Sequence, residues 1–264
     1  MMFERGYSAN TLANPPALPL FHSTTGRAID QILESGHVRS RDKNFSLTCL
    51  SYGKPSYAFK LMASQEHIGR VTKYSPFCFI FDSKAMSLDP RGVSAYCFDI
   101  GGVRGGYYEP EISRKADQRR FQIGSQIKEI TLACRELYEN NQNYVNARPR
   151  LATAFGAFIT DDIVAYLNIV KKTGNHKLID DFDPCSHTFE VRVPSPLQIL
   201  TNAIALVGKQ SELSRMELQN IATDLDIELI PYETTRGLGS LDSWRAILSA
   251  VEAEFPELYS EAAE

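Results

Sequence analysis

The chain has 264 residues, 43% of them hydrophobic and 23% charged, the balance of an ordinary globular protein and unlike that of disordered, collagen-like or coiled-coil sequences. Its 28 Lys and Arg against 32 Asp and Glu give a formal net charge of -4, which excludes a basic nucleic-acid coat and confines any polyanion contact to local patches. Five cysteines, Cys49, Cys78, Cys97, Cys134 and Cys185, show no CxxC or zinc-finger spacing and fit a reducing cytoplasm, while the amino-terminal stretch lacks an apolar run long enough for a signal peptide or a membrane span.

In chain order, Pro15, Pro16 and Pro19 hold the backbone extended into a short strand ending in "LFHST". Ser23, Thr24 or Thr25 can cap the helix that follows, where Ala28, Ile29, Ile32 and Leu33 recur at helical spacing and Gly36 provides the stop. "NFSLTCLSY" and "SYAF" read as strand around a Gly-Lys-Pro turn, and "PFCFIFD" as a buried strand. From Glu111 to about Asn140 the pattern becomes helical, with Ile123, Ile127, Ile130, Leu132, Cys134 and Leu137 toward one side. A further helix is predicted over "DDIVAYLNIVKKTG". "HTFEVRVPSP" alternates, Phe189, Val191 and Val193 against Glu190 and Arg192. The helix "LSRMELQNIATDLD", the strand "IELIPY" and a closing helix from Ser243 complete the chain. No repeat or low-complexity tract marks a linker, so a single domain over residues 1–264 is expected.

Taken one at a time, the candidate functional residues have plain structural explanations. His22 fits a strand-end histidine bonded to a carbonyl, "SYGKPSYAF" a turn with Tyr52 and Tyr57 filling the core, and Glu190 the solvent side of an alternating strand. "FDIGGVRGGYYEP" lacks the spacing of a phosphate-binding loop and reads as a loop near the site. His176, His187, Asp180, Asp181 and Asp183 lie close in sequence without repeated ligand spacing, so a polar loop is favoured over a metal centre. Arg114, Lys115, Arg119 and Arg120, then Arg148 and Arg150, then Lys171, Lys172 and Lys177, form basic clusters that suit either solvated helix faces or phosphate contacts.

The order of three motifs is more specific. "LFHST" with His22, "YGKPSYAF" with Tyr57 and "FEVRV" with Glu190 together resemble the histidine-tyrosine-glutamate branch of the ADP-ribosyltransferase superfamily. "HTFEVRVPSPLQILTNAIALV" is similar to the glutamate strand and proline turn of its nucleic-acid-modifying toxins. The resemblance covers roughly residues 18 to 232. It implies an α+β fold with a split, twisted sheet core and NAD as donor substrate; the helical insertion over about 111–174, which matches nothing in the family, and the C-terminal helix are read from the residue pattern. By that resemblance Tyr57, rather than Tyr52, stacks on nicotinamide; His22 meets a ribose hydroxyl; the backbone beside Ser23 holds the carboxamide; Thr24 and Tyr52 are further cofactor-binding candidates; and Glu190 is the catalytic carboxylate. Cleaving the glycosidic bond of NAD develops positive charge at the ribose, which an anion and an electron-rich ring stabilise. Arginine-specific members of the superfamily carry a second glutamate two residues earlier, where this chain has Thr188, so arginine is a poor acceptor. A base in single-stranded RNA or DNA, held through Arg114, Lys115, Arg119 and Arg120 with Tyr107 and Tyr108 stacking, is the expected acceptor. A cytoplasmic toxin or anti-phage effector with a neutralising antitoxin follows from the same resemblance. Protein modification, plain NAD hydrolysis, a non-catalytic nucleotide or partner binder and a metal-dependent nuclease are the alternatives; no resident metal is expected.

Overall fold

The computed structural model describes residues 16–24, 26–39, 47–55, 77–83, 93–98, 100, 103, 112–150, 188–199, 202–233 and 240–259. Pro16 and Pro19 lead into β1, Leu20–Thr24, in which His22 is half-buried and its neighbours are buried. Helix α1, Gly26–Ser35, buries Ile29 and Ile32 and stops at Gly36, whose φ of 67° is the left-handed conformation that ends helices. The short β2, His37–Val38, precedes β3, Leu47–Tyr52, and β4, Phe77–Phe81, is buried at every position. The next strand, β5, covers Ser94–Tyr96.

Residues 112–140 correct the expectation of one long helix. Turns and a 3-10 helix, Gln118–Phe121, lead into a strand, β6, Gln122–Gly124, and only then does α2 run from Ile127 to Tyr138. Glu129 explains the late start: its carboxylate accepts from the Ser125 and Gln126 N–H groups at 2.6 and 3.1 Å, closing the first turn as a capping box. Ile123 therefore belongs to a strand, and the buried stripe of α2 is Ile127, Ile130, Cys134 and Leu137, with Leu132 beside it only half-buried. Helix α3, Asn141–Val145, is capped by the Asn140 side chain. The helix predicted over 161–174 and the strand "SYAF" lie outside the described residues.

The carboxyl-terminal part contains β7, Glu190–Pro194; β8, Leu197–Gln198; β9, Ala203–Lys209; α4, Gln210–Leu213; α5, Met216–Leu225; β10, Glu228–Tyr232; α6, Ser240–Glu254; and α7, Pro256–Tyr259. Among the described residues the main sheet has eight strands in the order β10-β9-β4-β1-β3-β7-β5-β6, and β2 pairs with β8 separately. Its pairs are antiparallel except β9 with β10, which the crossover through α4 and α5 makes parallel. The fold is α+β. Because β6 extends this sheet, the segment expected as a purely helical insertion also supplies a strand of the core.

One pairing positions the site. β1 pairs with β4 along its whole length, from Leu20↔Phe81 to Thr24↔Phe77, and β3 pairs with β7 from Leu47↔Pro194 to Ser51↔Glu190. β1 and β3 pair only at Leu20↔Tyr52 and Phe21↔Ser51. From His22 onward the two central strands diverge and the sheet splits into two wings, as the resemblance led one to expect.

An aromatic cluster closes the joined end of the split. Tyr52 and Phe189 stack with centroids 6.3 Å apart, and Tyr138 and Tyr144 pack against them from α2 and α3. The Tyr144 hydroxyl donates to the Tyr52 carbonyl at 2.8 Å and accepts from the Phe189 N–H at 2.9 Å. One phenol thus ties the end of β3 to the residue that precedes Glu190.

Candidate active site at the divergence of two strands

His22 stands on the β1 lip of the split. Its Nδ1 lies 3.3 Å from the Cys49 carbonyl of β3, an oxygen at a position where β1 no longer pairs with β3. Burial pushes the imidazole down from its ordinary value of 6.5 to about 4, outweighing the hydrogen bond to Cys49. The ring is neutral at physiological pH, so Nδ1–H donates to the carbonyl and Nε2 remains an acceptor. An acceptor at that place suits a hydroxyl donor.

Ser23 and Thr24 follow on β1 and are buried. The Ser23 hydroxyl lies 3.7 Å from the Cys78 sulfur of β4. Both residues belong to the strand and not to the cap of α1, so their backbone forms the lip of the cleft past the point where pairing with β3 stops.

Glu190, the first residue of β7, is 7% exposed, which overturns its reading as the solvent side of an alternating strand. One oxygen, Oε2, accepts from the Ile100 N–H at 2.8 Å, and Oε1 accepts from Arg192 Nε at 2.5 Å. The Arg192 guanidinium also lies 5.2 Å from the centre of the Tyr96 ring. The registers place Phe21, Ser51, Glu190 and Tyr96 in one row across four strands. Directly paired residues share a face, so alternation puts His22 on the opposite face from that row. With β3 between β1 and β7, His22 and Glu190 are about 10 Å apart across the sheet. They can serve one ligand only if it passes through the cleft.

Tyr52 requires a correction. It is fully buried, its hydroxyl accepts from the Leu18 N–H at 3.0 Å, and its ring stacks on Phe189. No face of the ring is left for a nicotinamide, so Tyr52 holds the core behind the site. Tyr57, Tyr107 and Tyr108 lie outside the described residues, as do His176, His187, Asp180, Asp181 and Asp183. Thr188 is 2% exposed.

Arg114, Lys115, Arg119 and Arg120 are exposed, on turns and the 3-10 helix and not on a long helix. Arg119 pairs with Asp117 at 3.3 Å, an exposed contact of little energetic weight. This basic run enters β6, which pairs with β5, which pairs with Glu190's strand. It therefore flanks the carboxylate at about two strand spacings.

Sequence reasoning placed Arg192 on the same side as Glu190 but gave it no role, although a carboxylate and a guanidinium two residues apart on a strand signal an ion pair. Tyr144 and the Ile100 N–H gave no signal, because both reach the site only through tertiary packing. Among the described residues no three His, Cys, Asp or Glu side chains converge as a metal site, and no helix is long and apolar enough to cross a membrane.

No protein-family model matches the chain, and no curated protein matches it. Two solved structures are similar. The Thermus sp. 2.9 DarT in complex with NAD+ has a TM-score of 0.46 and 7% identity over 82% of this chain and 96% of that one. The same protein in complex with carba-NAD+ has a TM-score of 0.44 and 8% identity over 81% and 95%. At such scores the likeness carries no argument, and the reading of the site rests on this chain's own strands and side chains.

Proposed function

We propose that the chain is an NAD-dependent ADP-ribosyltransferase of the toxin or effector type, transferring ADP-ribose to a base in single-stranded RNA or DNA with release of nicotinamide. The observation that carries this reading is the split between β1 and β3, with a neutral, half-buried His22 on its lip and a buried, hydrogen-bonded carboxylate, Glu190, on the strand beyond β3. The dinucleotide's hydroxyls and carboxamide are hydrogen-bonding groups that unpaired strand backbone can meet. His22 Nε2 would accept from a ribose hydroxyl, the backbone at Ser23 and Thr24 would line the carboxamide, and Tyr57 would stack on the nicotinamide. Glu190 would hold the 2'-hydroxyl of the nicotinamide ribose and stabilise the oxocarbenium charge as the glycosidic bond breaks. The exposed run Arg114, Lys115, Arg119 and Arg120 would hold the acceptor strand by its phosphates. Such an activity in a cytoplasm calls for a neutralising antitoxin partner.

The test is the fate of NAD carrying label in its ADP-ribose, incubated with total RNA, DNA and protein kept as separate fractions. Nicotinamide release with label on single-stranded nucleic acid is expected. Label on protein alone overturns the acceptor, and release without label on any fraction makes the protein an NAD hydrolase. No release with any fraction overturns the enzyme in favour of a non-catalytic binder, and NAD-independent cleavage stopped by a chelator favours a metal nuclease.

A further inference from the structure

We infer that Arg192 is a positioning residue for Glu190, orienting the carboxylate toward the cleft; this deepens the reading of Glu190 as the catalytic carboxylate and rests on it. Both oxygens of Glu190 are held from known directions, Oε2 by the Ile100 N–H and Oε1 by Arg192 Nε. Together the two donors fix the plane of the carboxylate, whereas either alone would let it turn about the other bond. Arg192 is itself fixed: it sits two residues along the same strand, opposite Cys49 and Ser94 in the ladders, with its guanidinium beside the Tyr96 ring. The Arg192 side chain is 21% exposed and that of Glu190 only 8%, so the arginine supplies the counter-charge for an otherwise enclosed anion.

This arrangement assigns Arg192 an effect on turnover and not on affinity. A carboxylate that stabilises charge formed at bond cleavage acts mainly in the transition state, where a small misorientation matters most. Lysine at this place would keep the charge but lose the planar donor set beside Tyr96.

The experiment is steady-state nicotinamide release from NAD by the full chain, with its preferred acceptor present, for the parent, R192Q, R192K and R192A. For R192Q and R192A, kcat should fall about 10- to 100-fold while KM for NAD stays within about threefold. R192K should recover only part of the loss. Millimolar guanidinium should raise the rate of R192A and leave that of the parent unchanged, a response that a general loss of packing does not produce. If R192A fails to fold, as judged by circular dichroism, the same comparison is read from R192Q and R192K, with the guanidinium response then taken from R192Q. Unchanged kcat overturns the inference, and so does a raised KM at parental kcat, which would make Arg192 a contact to the substrate's phosphates. A parent that releases no nicotinamide overturns the transferase reading and this inference with it; an active parent with indifferent Arg192 variants overturns this inference alone.

Discussion

Glu190 is enclosed by β-sheet yet keeps its charge satisfied by one backbone N–H and one guanidinium, so replacing the charge and replacing the shape should have separable consequences. Glu190→Gln should leave NAD affinity near the parental value by calorimetry while nicotinamide release falls by about two orders of magnitude or more, because the anion acts on charge that forms only during cleavage. Tyr52 should behave differently. It fills the centre of an aromatic cluster, and Tyr52→Ala should cost about 3 to 5 kcal/mol of stability in urea titrations; weakened NAD binding with the melting point unchanged would restore it as a ligand contact. Lys54 is a third case. Its ammonium is buried, donates to the Tyr144 and Val145 carbonyls at 2.8 and 3.4 Å and faces the Tyr144 ring. Burial lowers it from an ordinary 10.5 to about 7, with the nearby Cys134 opposing. Between pH 7 and 10.5 the unfolded chain therefore binds more protons at this residue than the folded chain. Its contribution to stability is fully present above the unfolded value and is lost as pH falls toward 7. The difference in urea stability between the parent and Lys54→Met should change in favour of the parent as pH rises from 7 to 10, and a pH-independent difference would refute the assignment.

At the scale of elements, the site depends on where two strands stop pairing and on the turn at their joined end. Gly53 ends β3 with a φ of 67°, and a Cβ there would come within 2.4 Å of the Leu18 side chain. Its N–H donates to the Pro19 carbonyl at 2.8 Å, and its carbonyl accepts from the Tyr259 hydroxyl at 3.0 Å. Gly53→Ala combines left-handed strain with a steric clash and should cost about 2 kcal/mol or more. Thermal melting measures this, and a parental midpoint would show that the turn relaxes freely. Because β3 carries Ser51 opposite Glu190, a shifted turn should also reduce nicotinamide release at temperatures where the variant is folded.

Across the whole molecule, the net charge of -4 opposes polyanions at long range, so a nucleic-acid acceptor must be held by a local basic edge. The run from Arg114 to Arg120 lies beside β6, at the edge of the sheet nearest Glu190. Reversing charge at Arg119 and Arg120 together should weaken single-stranded nucleic-acid binding about tenfold or more and flatten its dependence on salt. Fluorescence anisotropy across a salt series measures both, while nicotinamide release without acceptor should hold. Indifference of binding and salt slope would remove this edge from the acceptor site.

How far the residues spoke for themselves differed with the range of the interaction. An aromatic-rich apolar run sufficed for β4, period-two alternation for β7, and helical spacing with a glycine stop for α1, because these signals are local. His22, Ser23, Thr24 and Glu190 were legible as candidates from short motifs, and the structure leaves their roles as a proposal. Local pattern misjudged residues 112–126, where isoleucines at helical spacing lie beside Gly124 and Ser125 and the carboxylate of Glu129 delays the helix until Ile127. β9 was not anticipated, since a short apolar run such as "AIALV" carries no period of its own until β4 and β10 flank it. Sequence by itself determined the α+β class, the strands that bear His22 and Glu190, and the exclusion of a basic coat. Only the tertiary structure decided that Tyr52 is core, that β1 and β3 part at His22, and that Arg192 and the Ile100 N–H hold Glu190. Those facts depend on contacts between residues as far apart in the chain as Tyr52 and Phe189, and no local propensity encodes a contact whose partner lies so far along the chain.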